Sequence, residues 1–177
     1  PVITSSLINS KTCADIYFKC DNFQKMGAFK MRGATNAILQ LHDSQKSKGV
    51  VTHSSGNFAQ ALSLAAKSIG VQAYIIMPST ATKIKKIAVK GYGGILIECE
   101  PNLRAREKAA QKIVQTKGAT FIHPSNDDQV ILGQGTACKE LIEKYNNLDY
   151  ILAPVGGGGL IAGSALAAKY FGQNCKV

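Results

Sequence analysis

Apolar positions along the chain switch between two spacings. Short runs rich in β-branched and aromatic residues, at 16–20, 50–53, 73–77, 95–98, 120–122 and 150–155, predict strands. Between them the spacing lengthens to that of a helix. Phe58, Ala61, Leu62, Ala65, Ala66 and Ile69 recur three and one apart, with Gly70 placed to end the helix. Leu103, Ala109, Ala110, Ile113 and Val114 mark a second helix, stopped by Gly118, and Ala34, Ala37, Ile38 and Leu41 mark another just after Lys30. Strand and helix alternating over short connections predict an α/β chain built on an open parallel sheet with helices on both faces. In such sheets ligands bind at the carboxyl ends of the strands, where loops meet helix starts.

Two loops at those ends carry candidate chemistry. The strand at 50–53 is followed by Ser54-Ser55-Gly56-Asn57, and the run at 150–155 by Gly156-Gly157-Gly158-Gly159, ahead of an Ala-rich helix. Four residues without side chains leave backbone N–H groups bare at a helix N-terminus, whose dipole favours an anion, so the second loop reads as a phosphate cradle. A tight turn that only lets helix and strand pack is the other reading. The loop lacks the Lys and Ser/Thr of an ATP-binding P-loop and the spaced glycines of a dinucleotide fingerprint.

Composition narrows the class. With 177 residues, 45% of them hydrophobic, the chain can bury one sizeable core or two small ones, and no run of about 20 apolar residues is long enough to span a membrane. A net charge of +10 raises nucleic-acid binding, but the basic stretches at 83–90 and at Arg104, Arg106 and Lys108 fall on amphipathic helices without interleaved aromatics. Solvated helix faces account for them, and no nucleic-acid partner is expected. Cys13, Cys20, Cys99, Cys138 and Cys175 are scattered and odd in number, which predicts reduced thiols and a cytoplasmic protein. His42, His53 and His123 are equally dispersed, lack metal-ligand spacing and read as surface or loop residues. The chain starts without Met, and residues 174–177 read as the opening of a further strand, so the span is expected to be part of a longer chain.

Lys30 opens a helical segment beside Lys25 and Arg32. Positive surroundings lower an amine's pKa, which suits a lysine that forms Schiff bases. The order Gly27-Ala28-Phe29-Lys30-Met31-Arg32-Gly33-Ala34, then His53-Ser54-Ser55-Gly56-Asn57, then Gly133-Gln134-Gly135-Thr136, then Pro154-Val155 and the four glycines resembles the serine racemase and serine/threonine dehydratase group of pyridoxal-phosphate enzymes, of the tryptophan-synthase-β fold (fold type II). The resemblance covers essentially the whole chain.

The resemblance implies pyridoxal 5'-phosphate as cofactor, bound covalently at Lys30, with Phe29 walling its ring. It further implies that Asn57 hydrogen-bonds the ring hydroxyl and that Gly156, Gly157, Gly158 and Gly159 hold the phosphate. Ser54, Ser55, Gly56 and Asn57 match the loop receiving the carboxylate of a small amino-acid substrate, and Arg106 falls where serine racemases carry a carboxylate-binding arginine. Lys30 is then the base that takes the α-proton. Inversion of the stereocentre also needs an acid on the opposite face. Ser55 can supply one, whereas the related threonine dehydratases commonly have Ala there, so the expected activity is racemisation, β-elimination or both, on serine-like hydroxy amino acids. A hydroxyaspartate or threonine dehydratase without racemase activity, or a non-catalytic paralogue, is the alternative. Phe58, standing where the family usually has a His, removes a polar group from the substrate loop and supports the non-catalytic reading. Leu132 replaces a usual Ala, and Ser125-Asn126 falls in a variable loop and carries no assignment.

Two domains follow from the resemblance: a large cofactor-binding domain of residues 1–45 and 120–177, incomplete at its C-terminal side, and a small substrate-loop domain of 46–119. A homodimer is implied as well, together with a possible divalent cation whose site is not in this span.

Overall fold

The computed structural model describes residues 1–177. Its central sheet holds β3 (Val50–His53), β4 (Ala73–Pro78), β5 (Ile95–Cys99) and β6 (Thr120–Phe121), all parallel, in the order β5-β4-β3-β6. Val50 pairs with Ala73 on one side and Thr120 on the other, and Tyr74 with Ile95. Side chains alternate between the faces of a strand. Val50, Ala73, Ile75 and Met77 therefore share one face, where they join α2 (Lys30–Leu39) and α4 (Asn57–Ile69) in the main core. Val51 and Ile76 point the other way, onto Ala110 of α6 (Leu103–Lys117). Burial on both faces explains why these strands read as continuous apolar runs.

Helix ends follow local chemistry. Gly70 ends α4 at φ 80°, and Gly118 ends α6 at φ 68°, both in the left-handed region that glycine enters without a Cβ penalty. At the start of α6 the Asn102 side chain accepts a hydrogen bond from Ala105 N–H at 2.7 Å.

A second layer of helices flanks this core. There α7 (Asp128–Lys144) crosses α2 and α8 (Gly159–Phe171) at close range. A Cβ on Gly133 would lie 2.6 Å from Gly33 Cα, and one on Gly135 would lie 2.6 Å from Gly163 O. The Gly-Gln-Gly motif is thus a packing device that lets three backbones meet. Gln134, fully buried between its glycines, accepts a hydrogen bond from Gly33 N–H at 3.2 Å.

The remaining elements are short: β1 (Val2–Ile3), α1 (Ser6–Thr12), β2 (Phe18–Lys19), α3 (Asp43–Lys46) and α5 (Lys83–Gly91). Two expected strands differ. Of residues 16–20 only Phe18–Lys19 is strand, paired antiparallel with β1 and outside the parallel sheet. Residues 150–155 form no strand. Their sole pairing is a parallel bridge from Tyr150 to Lys176, with Ile151 N–H donating to Lys176 O at 2.7 Å, and Leu152 is 96% exposed. A strand is defined by its neighbour, and one residue of neighbour is too little to make a ladder. No helix is long and apolar enough to cross a membrane.

Candidate active site

Lys30 is the first residue of α2. The chain reaches it through two successive left-handed residues, Met26 at φ 66° and Gly27 at φ 73°. For Met26 that conformation is strained, and the turn it makes delivers Phe29 and Lys30 to the interior. The Lys30 ammonium donates to the Pro124 carbonyl at 2.8 Å and lies 5.2 Å from the centre of the Phe29 ring and 5.7 Å from that of Phe58. Burial holds its pKa below the ordinary lysine value. The expected cause, positive neighbours, is not the operative one. Arg32 turns away and is neutralised, forking onto Asp21 at 2.6 Å and onto Glu140, whose carboxyl it pulls down to about 2 with help from Lys19.

The glycine loop lies against the same segment that holds the lysine. Gly158 caps α8 at φ 86° with no side-chain cap, so the first N–H groups of a 13-residue helix stay unpartnered by side chains. A Cβ on Gly157 would overlap the Ser125 side chain, and one on Gly159 would stand 3.0 Å from Ser125 O, whereas one on Gly156 meets nothing within 4 Å. Pro124 thus faces Lys30 while Ser125, the next residue, faces the glycines. His123 folds this segment: its Nδ1 accepts hydrogen bonds from Ser125 N–H at 3.2 Å and Asn126 N–H at 2.8 Å.

The loop after β3 offers a second bare helix start. Ser54 N–H donates to Ile76 O at 3.2 Å, continuing the sheet, and the Ser54 hydroxyl accepts from Gly56 N–H at 3.3 Å. Gly56 caps α4 without a side-chain partner, Ser55 is half-buried and Asn57 is exposed at the helix start. Phe58 then dives into the main core at 2% exposure, which brings the beginning of α4 up to the lysine. Arg106 sits in the first turn of α6, with its Nε buried and without a partner. It lies close enough to His53 to disfavour a proton there, but no contact joins it to Lys30.

The structure therefore gathers Lys30, Phe29 and the glycine loop around residues 124–125, with the 54–57 loop at the same strand ends and Arg106 beside His53. Sequence reasoning passed over the segment in the middle. His123, Pro124 and Ser125 follow directly on β6 at its carboxyl end, the position where parallel sheets keep ligand loops, and that was the available signal. The histidines are also less dispersed than their spacing suggested, since His53 and His123 meet edge-on with ring centres 5.7 Å apart. They line a cavity of about 350 Å³ with Phe121, Leu103, Glu107 and Gln111. No group of three or more His, Cys, Asp or Glu side chains could hold a metal ion.

An aldehyde cofactor bearing a phosphate needs an amine that readily gives up its proton and an anion site beside it. A desolvated lysine and an uncapped, glycine-lined helix start on either side of one dipeptide fit that group. The orphaned Arg106 Nε fits a substrate carboxylate. Comparison with known proteins agrees. The chain is 51% identical over 177 residues to a serine racemase of Schizosaccharomyces pombe, covering 100% of this chain and 55% of that protein. It is 48% identical over 177 residues to a beta-hydroxyaspartate dehydratase of Paracoccus denitrificans, covering 100% of this chain and 56% of that protein. The crystal structure of serine racemase from Dictyostelium discoideum superposes with a TM-score of 0.97 at 48% identity, over 100% of this chain and 58% of that one. The chain spans about half the length of the curated relatives it matches. The family model for pyridoxal-phosphate dependent enzymes matches residues 1–177, and the chain belongs to that family.

Proposed function

We propose that this chain carries the lysine, the phosphate cradle and the substrate loop of an enzyme that racemises serine-like hydroxy amino acids, eliminates their β-hydroxyl, or does both. The single observation that carries the reading is the shared dipeptide: Pro124 O holds the Lys30 ammonium at 2.8 Å while Ser125 packs on Gly157 and Gly159. Pyridoxal phosphate, when bound, supplies the sink for the electron pair released at the α-carbon. Gly156, Gly157, Gly158 and Gly159, at the start of α8, bind the phosphate, Phe29 walls the ring, and Asn57 hydrogen-bonds its hydroxyl. The bare start of α4, with Ser54, Ser55, Gly56 and Asn57, takes the substrate carboxylate together with Arg106. Lys30 accepts the α-proton, a role its lowered pKa favours because a larger fraction is free amine near neutral pH. The Ser55 hydroxyl returns a proton on the opposite face when the stereocentre inverts.

In this reading residues 1–45 and 120–177 belong to the large cofactor domain and 46–119 to the small domain, with substrate between them. The enzyme works as a cytoplasmic homodimer, and any divalent cation is held by residues outside this span. Elimination without racemisation is the second reading, favoured by the likeness to a beta-hydroxyaspartate dehydratase and by Phe58, an apolar ring set against Lys30.

Addition of pyridoxal phosphate to a chain of the relatives' length should give a visible absorption band. Borohydride reduction and peptide mapping should then place the cofactor mass on Lys30. Labelling spread over several lysines, or no band, overturns the reading. Chiral analysis of L-serine and L-hydroxyaspartate incubations separates the two activities.

A further inference from the structure

We infer that His123 is a positioning residue for both ends of the cofactor site: by accepting two backbone N–H groups it holds the 124–126 segment against Lys30 and the glycine loop together. This rests on the reading of Lys30 and the glycines as cofactor-binding. The geometry is specific. His123 Nδ1 lies 3.2 Å from Ser125 N and 2.8 Å from Asn126 N, two and three residues on, so the imidazole must present a lone pair there. Pro124, inside the turn this creates, aims its carbonyl at Lys30 Nζ. Ser125, pinned by its own N–H, sets the surface on which Gly157 and Gly159 rest. No other side chain donates to or accepts from the backbone of residues 125 and 126.

The test uses a chain of the relatives' length with two variants. His123→Asn keeps an acceptor, because an Asn oxygen bonds N–H groups two and three residues on in the same way. His123→Phe keeps the ring and loses the acceptor. Half-saturating pyridoxal phosphate is read by visible absorption, and amide exchange of Ser125 and Asn126 is read without cofactor. His123→Phe should need about tenfold more cofactor, since each lost hydrogen bond is worth roughly two- to tenfold, while His123→Asn stays within about threefold. Exchange at 125 and 126 should quicken in His123→Phe and not in His123→Asn. Equal cofactor binding by His123→Phe and wild type, or unchanged exchange in His123→Phe, overturns the inference. If the wild type takes up no cofactor while exchange still depends on the acceptor at 123, the cofactor reading falls and the anchor stands.

Discussion

Lys30 and Ser55 illustrate how much chemistry depends on one atom's surroundings. Burial takes water from the Lys30 ammonium and leaves it one carbonyl partner, so the charged form costs more than in water, as the proposed role of a base requires. The same logic separates two reactions at Ser55. Removal of the α-proton and departure of a β-hydroxyl need only the base and a route out, whereas inversion needs a second donor on the far face. Ser55→Ala in a chain of the relatives' length should lower interconversion of serine enantiomers by about 100-fold or more, the usual worth of a positioned acid. Deamination of L-serine or L-hydroxyaspartate should remain within about tenfold of the parent. Racemisation surviving in the mutant assigns Ser55 to the carboxylate loop alone.

Between elements, contact distances set what the sequence tolerates. The crossing of α7 with α8 has no room for a methyl group at Gly135, whose added Cβ would meet backbone of Gly163 that cannot rotate aside. Gly135→Ala should therefore destabilise the fold by about 2 kcal/mol or more in denaturant titration. Gly156→Ala, in open space, should stay within about 0.5 kcal/mol. Electrostatics links β2, α2 and α7 through Lys19, Arg32 and Glu140. Glu140 has a folded pKa of about 2 against an ordinary 4.5, so its contribution is fully present above about pH 4.5 and is lost as pH falls towards 2. Glu140 is half-exposed and screened, so Glu140→Gln should cost about 1 kcal/mol near neutral pH, and the gap to wild type should close in acid. The same scale explains what could be read in advance. Val50–His53 was legible as a short β-branched run, and α4 and α6 because helical period and a capping glycine agreed on each, while the loops at 54–57 and 156–159 stood out because a helix starts at the end of each. The crossing role of Gly133 and Gly135 and the meeting of His53 with His123 were not legible, because each depends on a contact between segments far apart in sequence, which no local pattern records.

At the scale of the whole molecule the apolar surface is unevenly spent. The sheet of β3 to β6 is closed by helices on both sides, while Tyr150, Leu152 and Val155 lie exposed in extended chain with one bridge for support. An extended apolar segment of this kind presents unpaired backbone groups and uncovered side chains together, and both are satisfied when further strands pair with it. The segment leads straight into Gly156, so whatever orders residues 150–155 also fixes the glycine loop and the start of α8. Activity should therefore depend on chain that the relatives have and this span does not cover. A chain extended to the relatives' length should turn over serine or hydroxyaspartate at least about tenfold faster than residues 1–177 alone, the effect of holding a catalytic site in its reactive geometry. Amide exchange at Leu152 and Val155 should slow in the same comparison. Equal turnover and equal exchange in the short and long chains would mean that residues 150–155 are already as ordered as the chemistry requires.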